Sequence, residues 1–268
     1  MAVLASNPRF INTVLFGNTF THRLSAIAHA GFNGVEIWQQ DAEPAVCETK
    51  QQLSNWGLQC TDYQVLLDFD GAKGGDRQHK QHEALRMIEI AAQLGSSMIL
   101  VAANTGDCDE QAIVADLKWL CQQASRAGLR IAYEAMSWST SINRCDLAWQ
   151  IIEQVDEPNL GIVVDAFHLY ILGRSLADLS GIPAEKIFLV QLSDSEELTQ
   201  GTCVKTIARH RRLLPGDGQF PLRELVVYLE TLGYQGPIGL EVFNDQAKQQ
   251  DPEQVALLAK HALEQLLA

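Results

Sequence analysis

Residues Leu160–Tyr170 read LGIVVDAFHLY, an apolar, β-branched run that ends on a carboxylate, Asp165, with His168 three residues further on. A short run of this kind reads as a strand buried on both faces, which is what a parallel sheet requires. A carboxylate is expensive inside such a strand but tolerable at its end, provided something there balances the charge. A helix cap or a loop arginine would do so, and so would a bound cation.

The same rhythm recurs along the chain. Comparable runs lie at 10–16 (FINTVLF), 34–38 (GVEIW), 58–65 (LQCTDYQV), 97–103 (SMILVAA), 130–135 (RIAYEA), 186–193 (KIFLVQLS) and 236–243 (GPIGLEVF). Most are separated by stretches with helical spacing of apolar residues, such as THRLSAIAHAG, HEALRMIEIAAQLG, EQAIVADLKWLCQQASRAG and PLRELVVYLETLG. Gly31 and Gly233 stand where helices should stop, and Pro221 stands at a first-turn position. After the sixth run the pattern is irregular. Eight strands alternating with helices over about 250 residues is the arithmetic of an α/β fold, a single (β/α)8 TIM barrel spanning residues 1–268. The rival, an open doubly wound sheet, would carry a glycine-rich phosphate turn after its first strand, and FGNTFTHR is not one.

Composition narrows the function classes. The chain has 268 residues, 47% of them hydrophobic, and a formal charge of −13, which disfavours nucleic acid and anionic membranes as partners. No run is long and apolar enough to cross a membrane, and MAVLASNPRF lacks the basic start and apolar core of a secretory signal. Six cysteines without a CxxC pair read as reduced thiols, so a cytoplasmic location is expected. The oligomeric state stays open, a homo-oligomer included.

In a barrel of this kind the chemistry sits at the C-terminal ends of the strands. Polar residues at those ends are Glu36 on the second strand, Glu134 on the fifth, Asp165 on the sixth, Gln191 and Asp194 on the seventh, and Glu241 on the eighth. Carboxylates converging on one mouth repel unless a cation lies among them. Glu134, Asp165, Gln191 and Glu241 therefore form a candidate all-oxygen site for one divalent ion, with Mn²⁺, Mg²⁺ or Co²⁺ favoured over Zn²⁺.

At these residues the sequence resembles a known family. GFNGVEIW, YEAM, VVDAFHLY, FLVQLSD, PGDGQF and GLEVFND together resemble the xylose-isomerase-like sugar phosphate isomerase/epimerase superfamily, over residues 20–245 and in the family's order. The resemblance implies one divalent metal held by Glu134, Asp165, Gln191 and Glu241. Most isomerases and epimerases of the superfamily have His at the strand-seven position. Gln191, with YEAMSW and RHRRLLPGDGQF, is most similar to the bacterial 3-dehydroshikimate dehydratases. It departs from them in VLLDFDG, where Leu67 stands in place of an expected arginine; Arg77 is a candidate substitute.

The resemblance implies a small polyhydroxylated substrate and a lyase that dehydrates 3-dehydroshikimate to protocatechuate through an enolate. The alternative is a metal-dependent isomerase or epimerase of a ketose, sugar phosphate or inosose. Catalytic candidates are Glu134, His168 and Glu241. Met136 closes a route that uses a His two residues after the strand-five Glu. Arg212 matches the family's substrate arginine, and Arg209 and Glu36 are further substrate-binding candidates. His168 could instead be hydrogen-bonded behind the sheet, and the basic loop could be a solvated charge run. HKQHE, at 79–83, reads as the solvated face of a helix. A degenerate barrel that only binds sugar is the non-enzyme reading, and the intact set of three carboxylates argues against it.

Overall fold

In a computed structural model, which describes residues 3–198 and 201–268, eight parallel strands close into a barrel in sequence order. They are β1 Arg9–Asn12, β2 Gly34–Trp38, β3 Gln59–Leu66, β4 Met98–Ala102, β5 Arg130–Glu134, β6 Leu160–Asp165, β7 Ile187–Leu192 and β8 Ile238–Leu240, with β1 pairing β8. The helices are α1 Phe20–His29, α2 Gln39–Ala42, α3 Val46–Trp56, α4 Gly74–Leu94, α5 Ile113–Arg126, α6 Cys145–Val155, α7 Ala166–Tyr170, α8 Val204–His210, α9 Leu222–Leu232 and α10 Pro252–Leu267. The barrel expected from the eight apolar runs is the observed one. Strands β4, β6 and β7 are buried at every position, because each packs helices on one face and the barrel interior on the other.

The ends of the elements carry the informative differences. β1 stops at Asn12, three residues into the run FINTVLF, because the Asn12 side chain accepts from Val14 N (3.1 Å) and turns the chain into a short 3-10 helix. β8 is only three residues long. Beyond it Phe243 O accepts from Arg212 N (2.9 Å), so this stretch is held by the loop after β7 instead of a strand. Gly239 is required where β8 meets β1, since a Cβ there would stand 2.1 Å from Phe10 O. After β6 the chain makes the short α7 and two 3-10 turns, which accounts for the irregular pattern of that segment.

Register sets the site. Asn12, Glu36 and Asp62 are level neighbours on β1, β2 and β3, and Asp165 is level with Gln191 across β6 and β7. Asp62 and Gln64 lie two residues apart on β3, hence on one face. All six cysteines are free, and among the described residues no helix is long and apolar enough to cross a membrane.

Candidate active site

A cavity opens at the C-terminal ends of the strands. Trp38, Leu67, Leu100, Met136, Trp138 and Phe243 give it an apolar wall, and Glu134, His168, Arg209, Arg212 and Glu241 give it a charged one.

Asp165, the carboxylate closing β6, takes one hydrogen bond on each oxygen. Its Oδ1 accepts from Phe167 N (2.7 Å) and caps α7, while its Oδ2 accepts from Arg212 Nη1 (2.8 Å). Both ordinary partners of a strand-end acid, a cap and a loop arginine, are therefore present together. The same Nη1 lies 3.1 Å from Glu241 Oε2, and the guanidinium is sandwiched between the rings of Phe167 (4.5 Å) and Phe243 (5.2 Å). Arg212 is thus a buried counter-ion to two of the expected metal ligands, a role the loop sequence did not announce.

Glu241 is held from the other side, its Oε1 accepting from Asn12 Nδ2 (2.9 Å) and Gln64 Nε2 (3.3 Å). Trp38 Nε1 in turn donates to Asn12 Oδ1 (3.1 Å). Burial lifts the Glu241 carboxyl to about 7, with Arg212 pulling it back and Asp165 pushing it further up. Glu134 rises well above the carboxylate range through burial and then through repulsion from Glu241 and Asp165. Burial works against the charge on Arg212, yet Asp165, Glu241 and Glu134 together raise its proton affinity. Three carboxylates around one arginine leave uncompensated negative charge in a dry place.

His168 is buried on the cavity wall, not behind the sheet. Ser137 N donates to its Nδ1 (3.2 Å), and Ser137 Oγ is 2.9 Å from the same atom. A backbone N–H can only donate, so Nδ1 is the acceptor and the neutral ring carries its proton on Nε2. That nitrogen lies 3.8 Å from Glu134 Oε1 and 3.6 Å from Asp165 Oδ2. Burial holds the imidazole neutral, down to about 4, against the opposing pull of Asp165.

The geometry sorts the expected residues. Glu134, Asp165 and His168 bring ligand atoms within 4.8 Å of one another, while Gln191 is level with Asp165 on β7 and Glu241 follows β8 and lines the cavity. Arg209 lines the cavity from α8 with its side chain exposed. Glu36 does not reach the cavity. It is fully buried beneath it and accepts from Gln191 Nε2 (2.8 Å). Arg77 does not replace the arginine missing at Leu67, because it pairs with Asp116 (3.2 Å) at the start of α4. His210 and Arg211 face Asp245 and Glu196 on the surface. His79 and His82 are exposed, and Lys80 pairs with Glu83 (2.9 Å), as a solvated helix face should.

Asn12, Asp62, Gln64 and Ser137 were missed by sequence reasoning. The signal for two of them was available: Asp62 and Gln64 are polar at alternate positions of a strand, and so share one face.

A model of the xylose isomerase-like TIM barrel matches residues 24–266. A 3-dehydroshikimate dehydratase of Pseudomonas putida is 35% identical over 243 residues, which cover 88% of this chain and 38% of that protein. The solved structure of a xylose isomerase-like TIM barrel/4-hydroxyphenylpyruvate dioxygenase fusion protein superposes with a TM-score of 0.92 at 34% identity, covering 98% of this chain and 43% of that one. The chain thus spans about two-fifths of the length of both. The IOLI protein, solved with a bound zinc atom, has the same fold, with a TM-score of 0.86 at 20% identity and coverage of 97% and 98%. The chain belongs to the xylose isomerase-like TIM barrel family.

Proposed function

We propose that this protein is a divalent-metal-dependent lyase that dehydrates 3-dehydroshikimate to protocatechuate. The observation that carries the metal is the orphaned Oε1 of Gln191. It is buried without a partner beside Asp165, and Glu134 Oε1 is buried without one as well. Unpaired buried acceptors next to uncompensated carboxylates fit a cation. Glu134, Asp165, Gln191 and Glu241 would hold it, an oxygen set suited to Mn²⁺, Mg²⁺ or Co²⁺. Bound there, such an ion would polarise the substrate's carbonyl and make the neighbouring C–H acidic.

The remaining work falls to side chains of this chain. Glu134 is the base we favour, because Oε1 is unpartnered in a residue that lines the cavity, whereas both oxygens of Glu241 are engaged. Glu134 passes the proton it takes from carbon to the departing hydroxyl, which leaves as water, and His168, a neutral ring presenting Nε2–H, steadies that hydroxyl by a hydrogen bond. Arg209 supplies an exposed guanidinium for the substrate carboxylate, and Arg212 holds Asp165 and Glu241 in place. The apolar wall keeps water from the reacting carbons. The cysteine content supports a cytoplasmic setting.

Incubation of Mn²⁺-loaded protein with 3-dehydroshikimate tests the reading. Protocatechuate should accumulate, seen by its aromatic absorbance, and a chelator should stop it. Asp165→Asn should abolish turnover while keeping the α7 cap, since Asn also accepts a cap hydrogen bond. The second reading, an isomerase or epimerase of a ketose, sugar phosphate or inosose, is favoured by one feature: with Leu67 on the lining and Arg212 paired to Asp165 and Glu241, Arg209 has no second unpaired arginine beside it. Interconversion of such sugars without protocatechuate formation would decide for it.

A further inference from the structure

Beneath the cavity the barrel interior holds a second layer of polar side chains that touches no solvent. Glu36, Asp62 and Gln191 are each buried to 0% exposure, a costly arrangement in the middle of a hydrophobic core. Glu36 and Asp62 are level on adjacent strands, and their carboxyl groups lie within hydrogen-bonding reach of each other. Glu36 Oε1 accepts the hydrogen bond from Gln191 Nε2 at 2.8 Å.

This bond decides which end of the Gln191 amide faces the site. A glutamine side chain turned by 180° about its last bond would present –NH2 in place of the carbonyl oxygen, and an –NH2 group cannot ligate a cation. With Nε2 tied to Glu36, only Oε1 remains for the ring of carboxylates, and Oε1 has no other partner. We propose that Glu36, supported by Asp62, is a positioning residue that aims the Gln191 carbonyl oxygen at the metal position. The inference rests on the reading of Gln191 as a ligand. It also gives a function to a buried acid pair that the proposed chemistry does not otherwise use.

Equilibrium dialysis against Mn²⁺ tests it on the whole purified chain, with circular dichroism to confirm folding. Glu36→Leu removes the acceptor and should weaken Mn²⁺ binding by about 10–100-fold, the usual effect of losing a group that orients a ligand. Glu36→Gln keeps a carbonyl oxygen for Gln191 and offers its own amide to Asp62, so its affinity should stay close to wild type. In a Gln191→Leu background, itself weakened, Glu36→Leu should add no further loss, because the residue through which Glu36 acts is gone. Wild-type affinity in folded Glu36→Leu with a weakened Gln191→Leu would overturn the positioning role and leave the metal reading standing. Unchanged affinity in both would overturn both. If Glu36→Leu does not fold, Glu36→Gln decides, since weakened binding there contradicts the proposed hydrogen bond.

Discussion

Arg212 Nη1 and Asp165 Oδ2 form a 2.8 Å ion pair in which the side chains are 3% and 0% exposed. A pair this dry is held together by what surrounds it, because desolvation offsets most of the attraction. Here the surroundings are Glu241 on the second carboxylate side and two aromatic rings on the guanidinium faces. Removing the arginine leaves Asp165, Glu241 and Glu134 facing one another. Arg212→Met should therefore lower stability in chelator by about 3–5 kcal/mol, the usual cost of breaking a buried pair. Added Mn²⁺ should recover more of that loss than it adds to wild type. Thermal unfolding of both proteins with and without Mn²⁺ measures this, and equal shifts would separate the arginine from the cation site.

His168 and Ser137 make a second pair with separable contributions. His168→Ala removes the Nε2–H donor and should lower kcat by about 10²–10³-fold with little change in KM, as for a lost hydrogen bond to charge developing in the transition state. Ser137→Ala keeps the backbone N–H that sets the tautomer and loses only Oγ, so its effect should be far smaller. Steady-state kinetics on the substrate identified for the wild type distinguish the two. A Ser137→Ala loss as large as that of His168→Ala would mean that the hydroxyl, not the backbone, governs the ring.

How much of this was legible beforehand depends on the distance over which each feature is decided. The strand ends at Glu134, Asp165 and Gln191 follow from local patterning, since each closes or nearly closes a short apolar run and a parallel barrel puts all such ends on one face. Arg212 is different. Within RHRR, at 209–212, nothing local says which arginine turns inward. The choice is made by bridges from Asp194 to Leu213 and from Arg211 to Asn244, which pin the loop between β7 and the chain after β8. Glu36 likewise looked like another strand-end acid. Its register one layer below the mouth depends on where β1 and β3 pair with it.

Stability should also depend on pH through a group outside the site. Asp70 is fully buried, accepting from Tyr133 Oη (2.6 Å) and Asn104 N (2.9 Å), and burial raises it to about 7 in spite of both bonds. An unfolded Asp titrates near ~3.9. Below about pH 4 the group is protonated in both states and exerts no penalty. Between about pH 4 and 7 only the unfolded chain ionises, so stability falls as pH rises, and above about 7 the whole loss, on the order of 4 kcal/mol, is present. Asp70→Asn keeps an oxygen for Asn104 N and a donor for Tyr133 Oη. Its urea unfolding free energy should show a flatter decline from pH 4 to 8 than wild type and lie above it at pH 8. An unchanged slope would place the titrating group elsewhere.

Arg209 decides what kind of substrate the cavity takes. It is the exposed arginine on the lining, Arg212 being paired with Asp165 and Glu241, and the lining also carries the apolar Leu67. A substrate carboxylate would therefore depend on Arg209 for its charge-assisted hydrogen bonds, each worth about 1.5–3 kcal/mol. Arg209→Gln should raise KM for 3-dehydroshikimate by roughly 10–150-fold while kcat stays within a few-fold, because the contact is the same in the ground and transition states. A neutral polyol would lose only an ordinary hydrogen bond, about 1 kcal/mol, so its KM should rise by less than about tenfold. Running the same variant against an acidic and a neutral substrate separates the two readings. A KM for the acid that is insensitive to Arg209 would remove the carboxylate from this wall and with it the case for the dehydratase.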